Sequence, residues 1–180
     1  MYRSQPYSKR NRQNPILGRR IIIVGLSFMV CASMVIYVTG RMTAQPVNDP
    51  VPTNIRRVTA FNIYYPNQIE LPADYRLDTN SFSSNSQAVE YTVSHGISQH
   101  LIFTVQAKPS EADIQGFYHN HLPLTIPIKT SVGNAALGIL NNETVISLPT
   151  NTNSWILMTA PTNIQQTQLK QVIRAMILAK

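Results

Sequence analysis

Cysteine is nearly absent from this chain: Cys31 is the only one in 180 residues. That excludes a disulfide framework, so any folded part must be held by its core alone. Acid is missing from the first quarter. No Asp or Glu precedes Asp49, whereas Lys or Arg stands at positions 3, 9, 10, 12, 19 and 20. Glycine is scarce, and no glycine-rich loop is present that could cradle a phosphate. There is no Gly-x-Ser-x-Gly elbow and no Ser-x-x-Lys pair, so the usual hydrolase signatures are missing.

What the chain does have is a run of 19 uncharged residues, Ile21 to Thr39, directly behind the basic start. A helix of that length rises ~28 Å, close to the ~30 Å hydrocarbon core of a bilayer. The sequence therefore predicts one transmembrane helix over 21–39, uncleaved. A cleaved signal peptide is the rival reading, but its apolar stretch is shorter, and Gly40-Arg41-Met42 offers no small-x-small site. Lys and Arg resist translocation. The expected location is the cell membrane, with a disordered basic tail (1–20) in the cytoplasm and the C-terminal part outside.

Beyond Thr39 the charge is nearly balanced, with nine Lys and Arg against eight Asp and Glu. No basic field argues for nucleic acid as a partner there. Pro46, Pro50 and Pro52 predict a stalk over 40–57. An extracytoplasmic α+β domain is expected over 58–180, large enough for one core.

Within it, Val58 to Tyr65 and Tyr75 to Asp78 read as strands, and Asn80 to Gln87 as a polar loop. The clearest signal is a hairpin. Val89, Tyr91 and Val93 alternate with polar residues; Gly96 marks the turn; Leu101, Phe103, Val105 and Ala107 return on one face. A short helix follows, capped by Ser110, with Glu111 and Asp113 in its first turn and Ile114, Phe117 and Tyr118 as its apolar stripe. Leu124 to Thr130, Ala135 to Leu140, Thr144 to Leu148 and Trp155 to Ala160 continue the strands. Thr162 to Ala179 reads as a closing helix capped by Thr162 or Asn163. Its stripe is Leu169, Val172, Ile173, Met176 and Ile177. The expected architecture is an antiparallel β-sheet packed by this C-terminal helix.

Leu71-Pro72-Ala73-Asp74-Tyr75-Arg76-Leu77, the hairpin from Val89 to Val105, the strand with Gly138, and Trp155 followed by the helix from Asn163 together resemble a known family. These are bacterial membrane-anchored extracytoplasmic domains of unknown function with the LolA/LolB-like lipoprotein-carrier fold. The resemblance spans residues of about 70–180. It implies a half-barrel-like sheet whose concave face holds a lipid, a peptide or a protein partner. No catalytic residue is implied by it.

Candidate chemistry is sparse. His119 and His121 are the only close histidine pair, and no third ligand has suitable spacing, so no metal and no cofactor is expected. His95 and His100 flank the hairpin turn; Glu70, Asp74 and Asp78 form a small acidic group that reads as solvated surface. Tyr64, Tyr65, Tyr75, Tyr91 and Trp155 either fill the core or line a ligand or partner surface. The function expected from the sequence is that of a non-enzymatic, membrane-anchored binding module. The alternatives are a structural subunit of an envelope assembly and a small hydrolase.

Overall fold

In chain order the elements are α1 (Thr53–Val58), β1 (Tyr64–Pro66), β2 (Tyr75–Leu77), β3 (Ser83–Ser84), β4 (Ala88–His95), β5 (Gln99–Ala107) and α2 (Glu111–His121). They continue with β6 (Ile126–Lys129), β7 (Asn134–Leu140), β8 (Glu143–Pro149), β9 (Ser154–Pro161), α3 (Gln166–Arg174) and β10 (Met176–Leu178). This computed structural model describes residues 49–85 and 87–180. The basic tail, the apolar run Ile21 to Thr39 and the first part of the expected stalk lie outside the described residues. Among the described residues no helix is long and apolar enough to cross a membrane.

The chain is α+β and mostly antiparallel sheet. The main sheet runs in the order β2-β4-β5-β9-β8-β7-β6, with β3 also paired to β4. A second, two-stranded sheet joins β1 to β10. Register explains the core. Tyr91 pairs with Phe103, Phe103 with Met158, Met158 with Ile146, and Ile146 with Leu137, so these five side chains form one row across the sheet. All five are buried. Because strand side chains alternate, the neighbouring row of Thr92, Ile102, Thr159, Val145 and Gly138 faces the other way.

The first face packs into one cluster with Val51, Ile55, Tyr64, Tyr65, Leu169, Val172, Ile173 and Met176. The Tyr91 hydroxyl donates to the Tyr64 carbonyl at 2.9 Å, which pins β1 above β4. The opposite face is covered at one end by α2. Phe117 meets Trp155 edge-on at 5.2 Å, and Tyr118 bonds Ser147. A Cβ on Gly138 would stand 2.9 Å from Leu122 and 3.2 Å from the Leu124 carbonyl, so the chain leaving α2 crosses β7 only because glycine is there.

Several local expectations hold at close range. The hairpin forms with Gly96 at φ 61°, and Ser110 Oγ accepts the Asp113 N–H at 3.2 Å. Asn141 and Asn142 both take positive φ between the paired residues Leu140 and Glu143, as a type I′ hairpin requires.

Four expectations need correction. Residues 49–57 belong to the folded domain and not to a stalk: Val51 and Ile55, four apart, both reach the core. Asp49 accepts the Val51 N–H at 3.0 Å and pairs with Arg56 at 2.9 Å. Proline here starts a helix instead of breaking one, since the first helical N–H groups have no partner to lose. The strand expected from Val58 to Tyr65 shrinks to β1: Val58 ends α1, and residues 59–63 connect the two without regular structure. The closing helix stops at Arg174, with Ala175 at φ −74°, ψ 0°, and Met176–Leu178 pairs with β1. A helical apolar stripe and a three-residue buried strand look alike in sequence; the free edge of β1 decides between them. Neither Thr162 nor Asn163 caps α3, whose N-cap is Gln165 without a side-chain bond.

Candidate functional site

The five aromatic candidates do not form a surface. Tyr64, Tyr65, Tyr75, Tyr91 and Trp155 are all buried. The ring of Tyr91 lies between Phe82 at 4.8 Å and Phe103 at 4.9 Å. Tyr75 stacks on His95 at 4.3 Å, and the Tyr64 hydroxyl meets Thr152 Oγ1 at 3.0 Å. Trp155 lies on the other side of the sheet from Tyr91, since its register partner Gln106 alternates with Phe103 and Val105. Its Nε1–H donates to Ser147 Oγ at 2.8 Å. Of the two readings of these five, their burial fits core, driven by the large apolar area each ring removes from water. Burial raises the hydroxyl pKa of Tyr91 well above its ordinary range, and raises those of Tyr65, Tyr75 and Tyr118. Asp49 adds to the effect at Tyr65, as Asp74 does at Tyr75.

The polar candidates are used locally. His95 Nδ1 bonds Gln99 at 2.7 Å, and His121 packs on Phe117 at 5.5 Å. Asp78 accepts the Asn80 N–H at 3.0 Å, and the Asp74 carbonyl accepts the Gly96 N–H at 3.1 Å. Glu90 is half-buried on the outer face of β4, and desolvation raises its carboxyl pKa. Among the described residues no three His, Cys, Asp or Glu converge as metal ligands would.

What the fold does assemble is a cleft of about 370 Å³ between the loop after β1 and the end of α3, lined by Glu70, Leu71, Pro72, Gln171, Arg174 and Ala175. Its floor is part of the core, because Leu71 and Ala175 are buried. Its walls are tied together: the Asn67 N–H donates to the Ala175 carbonyl at 2.8 Å. Asn67 also sets the loop. Its carbonyl accepts the Glu70 N–H at 3.0 Å, and its Nδ2 donates to Glu70 Oε1 at 3.1 Å. The Glu70 carboxylate is thus held on one wall. Gln171 and Arg174 stand on the other, exposed, and their side chains make no hydrogen bond among the described residues.

Glu70 was visible in the sequence as an acidic residue near Leu71-Pro72. Gln171 and Arg174 were not singled out. They sit on the polar side of the α3 stripe, where a solvated face is the ordinary expectation. Only the docking of the 67–72 loop turns that side into a wall.

No protein-family model, no curated protein and no solved structure matches this chain.

Proposed function

We propose that this chain is a single-pass, membrane-anchored extracytoplasmic binding module, and that the cleft beside Leu71 is where it binds. The observation that carries the reading is the geometry of that cleft. Buried Leu71 and Ala175 form its floor, a hydrogen bond joins its walls, and Glu70, Gln171 and Arg174 supply polar groups at its rim. A concave site with an apolar base and a few polar groups is the usual form of a small-ligand site. The anchor rests on the run Ile21 to Thr39 and the orientation on the acid-free basic start. The likeness to the lipoprotein-carrier fold, with a half-barrel-like sheet under the C-terminal helix, belongs to the same proposal. It adds the expectation of an envelope ligand or protein partner.

Native mass spectrometry of the full chain, released from membranes in mild detergent, tests the reading. A retained small molecule that disappears in Arg174→Glu supports it. Wild type and variant each found only at the bare mass of its own chain would sink it. Protease access to the folded domain in intact spheroplasts, and protection in inverted vesicles, checks the orientation.

A further inference from the structure

We infer that the cleft takes a short zwitterionic peptide, with its carboxylate toward Arg174 and its ammonium toward Glu70; this rests on the reading of the cleft as a binding site. Glu70 and Arg174 line one cavity, yet they do not pair with each other. The only ion pair among the described residues is Arg56 with Asp49. Two opposite charges facing one space without closing on each other leave room for a molecule that satisfies both. Arg174 offers a fork of donors suited to a carboxylate. Glu70, already accepting one bond from Asn67 on Oε1, has its second oxygen free for an ammonium. Gln171, on the same wall as Arg174, carries both a donor and an acceptor, which matches a peptide group.

The size agrees. The cleft is open to solvent, and its volume of about 370 Å³ has room for two or three residues of a peptide. Other ligand classes fit less well. An acyl chain needs a longer apolar lining than Leu71, Pro72 and Ala175 provide. A phosphate or other pure anion gains from Arg174 but is repelled by Glu70. A metal ion lacks ligands, because Glu70 is the single carboxylate in the cleft.

The test is ligand-observed NMR on the full chain in nanodiscs, with three probes: alanyl-alanine, its N-acetyl form and its C-terminal amide. Blocking either end should weaken binding roughly five- to tenfold, since each removes one charge-assisted contact. Arg174→Gln should bind the free dipeptide and the amide equally. Glu70→Gln, which keeps an acceptor for Asn67, should bind the free and acetylated forms equally. Equal binding of all three probes to wild type, or blocked-end penalties unchanged in both variants, overturns the assignment. If no probe binds while native mass spectrometry still shows a species lost in Arg174→Glu, the ligand class is wrong and the binding site stands. If both experiments are empty, both readings fall.

Discussion

The side-chain amide of Gln68 lies along the edge of β2 as a neighbouring strand would, accepting the Leu77 N–H at 2.9 Å and donating to the Tyr75 carbonyl at 3.0 Å. Tyr75 and Leu77 are the β2 residues whose backbone groups point away from β4, because the Asp78 N–H between β2 and β4 bonds Thr92. The far edge is blocked differently. On β6 the Thr130 N–H turns inward to Gly133, so Pro127, three residues earlier, sits where an N–H would point outward. Gln68 thus occupies the outward groups of β2, and Pro127 removes one outward donor from β6, which limits the strand addition that exposed edges otherwise invite.

Gln68→Ala should cost about 1 kcal/mol, the net worth of the lost hydrogen bonds. It should also promote self-association as β2 is uncovered. Urea unfolding gives the first number. Sedimentation of the variant against wild type at increasing concentration reads the second, and an unchanged monomer would show that Gln68 is not an edge guard.

Ile55→Ala should destabilise the domain by about 2–4 kcal/mol, because it opens a cavity where α1 meets the core. Were residues 49–57 only a spacer, the change would cost nothing. Denaturant midpoints of the two proteins decide it.

Tyr91 couples stability to alkaline pH. Its folded pKa lies above the ordinary 10.0 because burial disfavours the phenolate. The folded state keeps the proton when the unfolded chain has lost it. Stability is therefore full below pH 10 and falls as pH rises past that value. Tyr91→Phe should lose about 1 kcal/mol at neutral pH with its bond to the Tyr64 carbonyl, yet decline less steeply in alkali. Unfolding curves taken from pH 8 to 11 test both signs. Parallel slopes for the two proteins would remove Tyr91 from the account.

Ser147→Ala should leave the buried Trp155 N–H without its acceptor and cost about 1–3 kcal/mol. Tyr118 loses the same partner, so α2 should loosen from the sheet first. Trp155 is the only tryptophan, and its fluorescence reports that contact directly. Emission that stays wild-type through the early part of the denaturation would contradict the coupling.

The strands from Ala88 to Pro161 and the helix after Ser110 were legible in the sequence because their causes are local. Period-two alternation sets which side chains share a face, and a serine beside two acids starts a helix whatever surrounds it. The apolar run from Ile21 to Thr39 is also plain in the sequence, and the membrane helix proposed for it lies outside the described residues. Tertiary structure decided what local pattern leaves degenerate. Met176 and Ile177 fit a helical stripe as well as a strand, and became β10 because β1 offered an unpaired edge. Val51 and Ile55 stand among prolines that read as a spacer, and joined the core because the sheet left apolar surface there to cover. Five aromatic rings could fill a core, the default, or line a groove, and the area they could bury sent them inward. The candidate cleft was the least legible element of all. Glu70 and Arg174 are far apart in the chain, and only the bond from Asn67 to Ala175 brings their walls together.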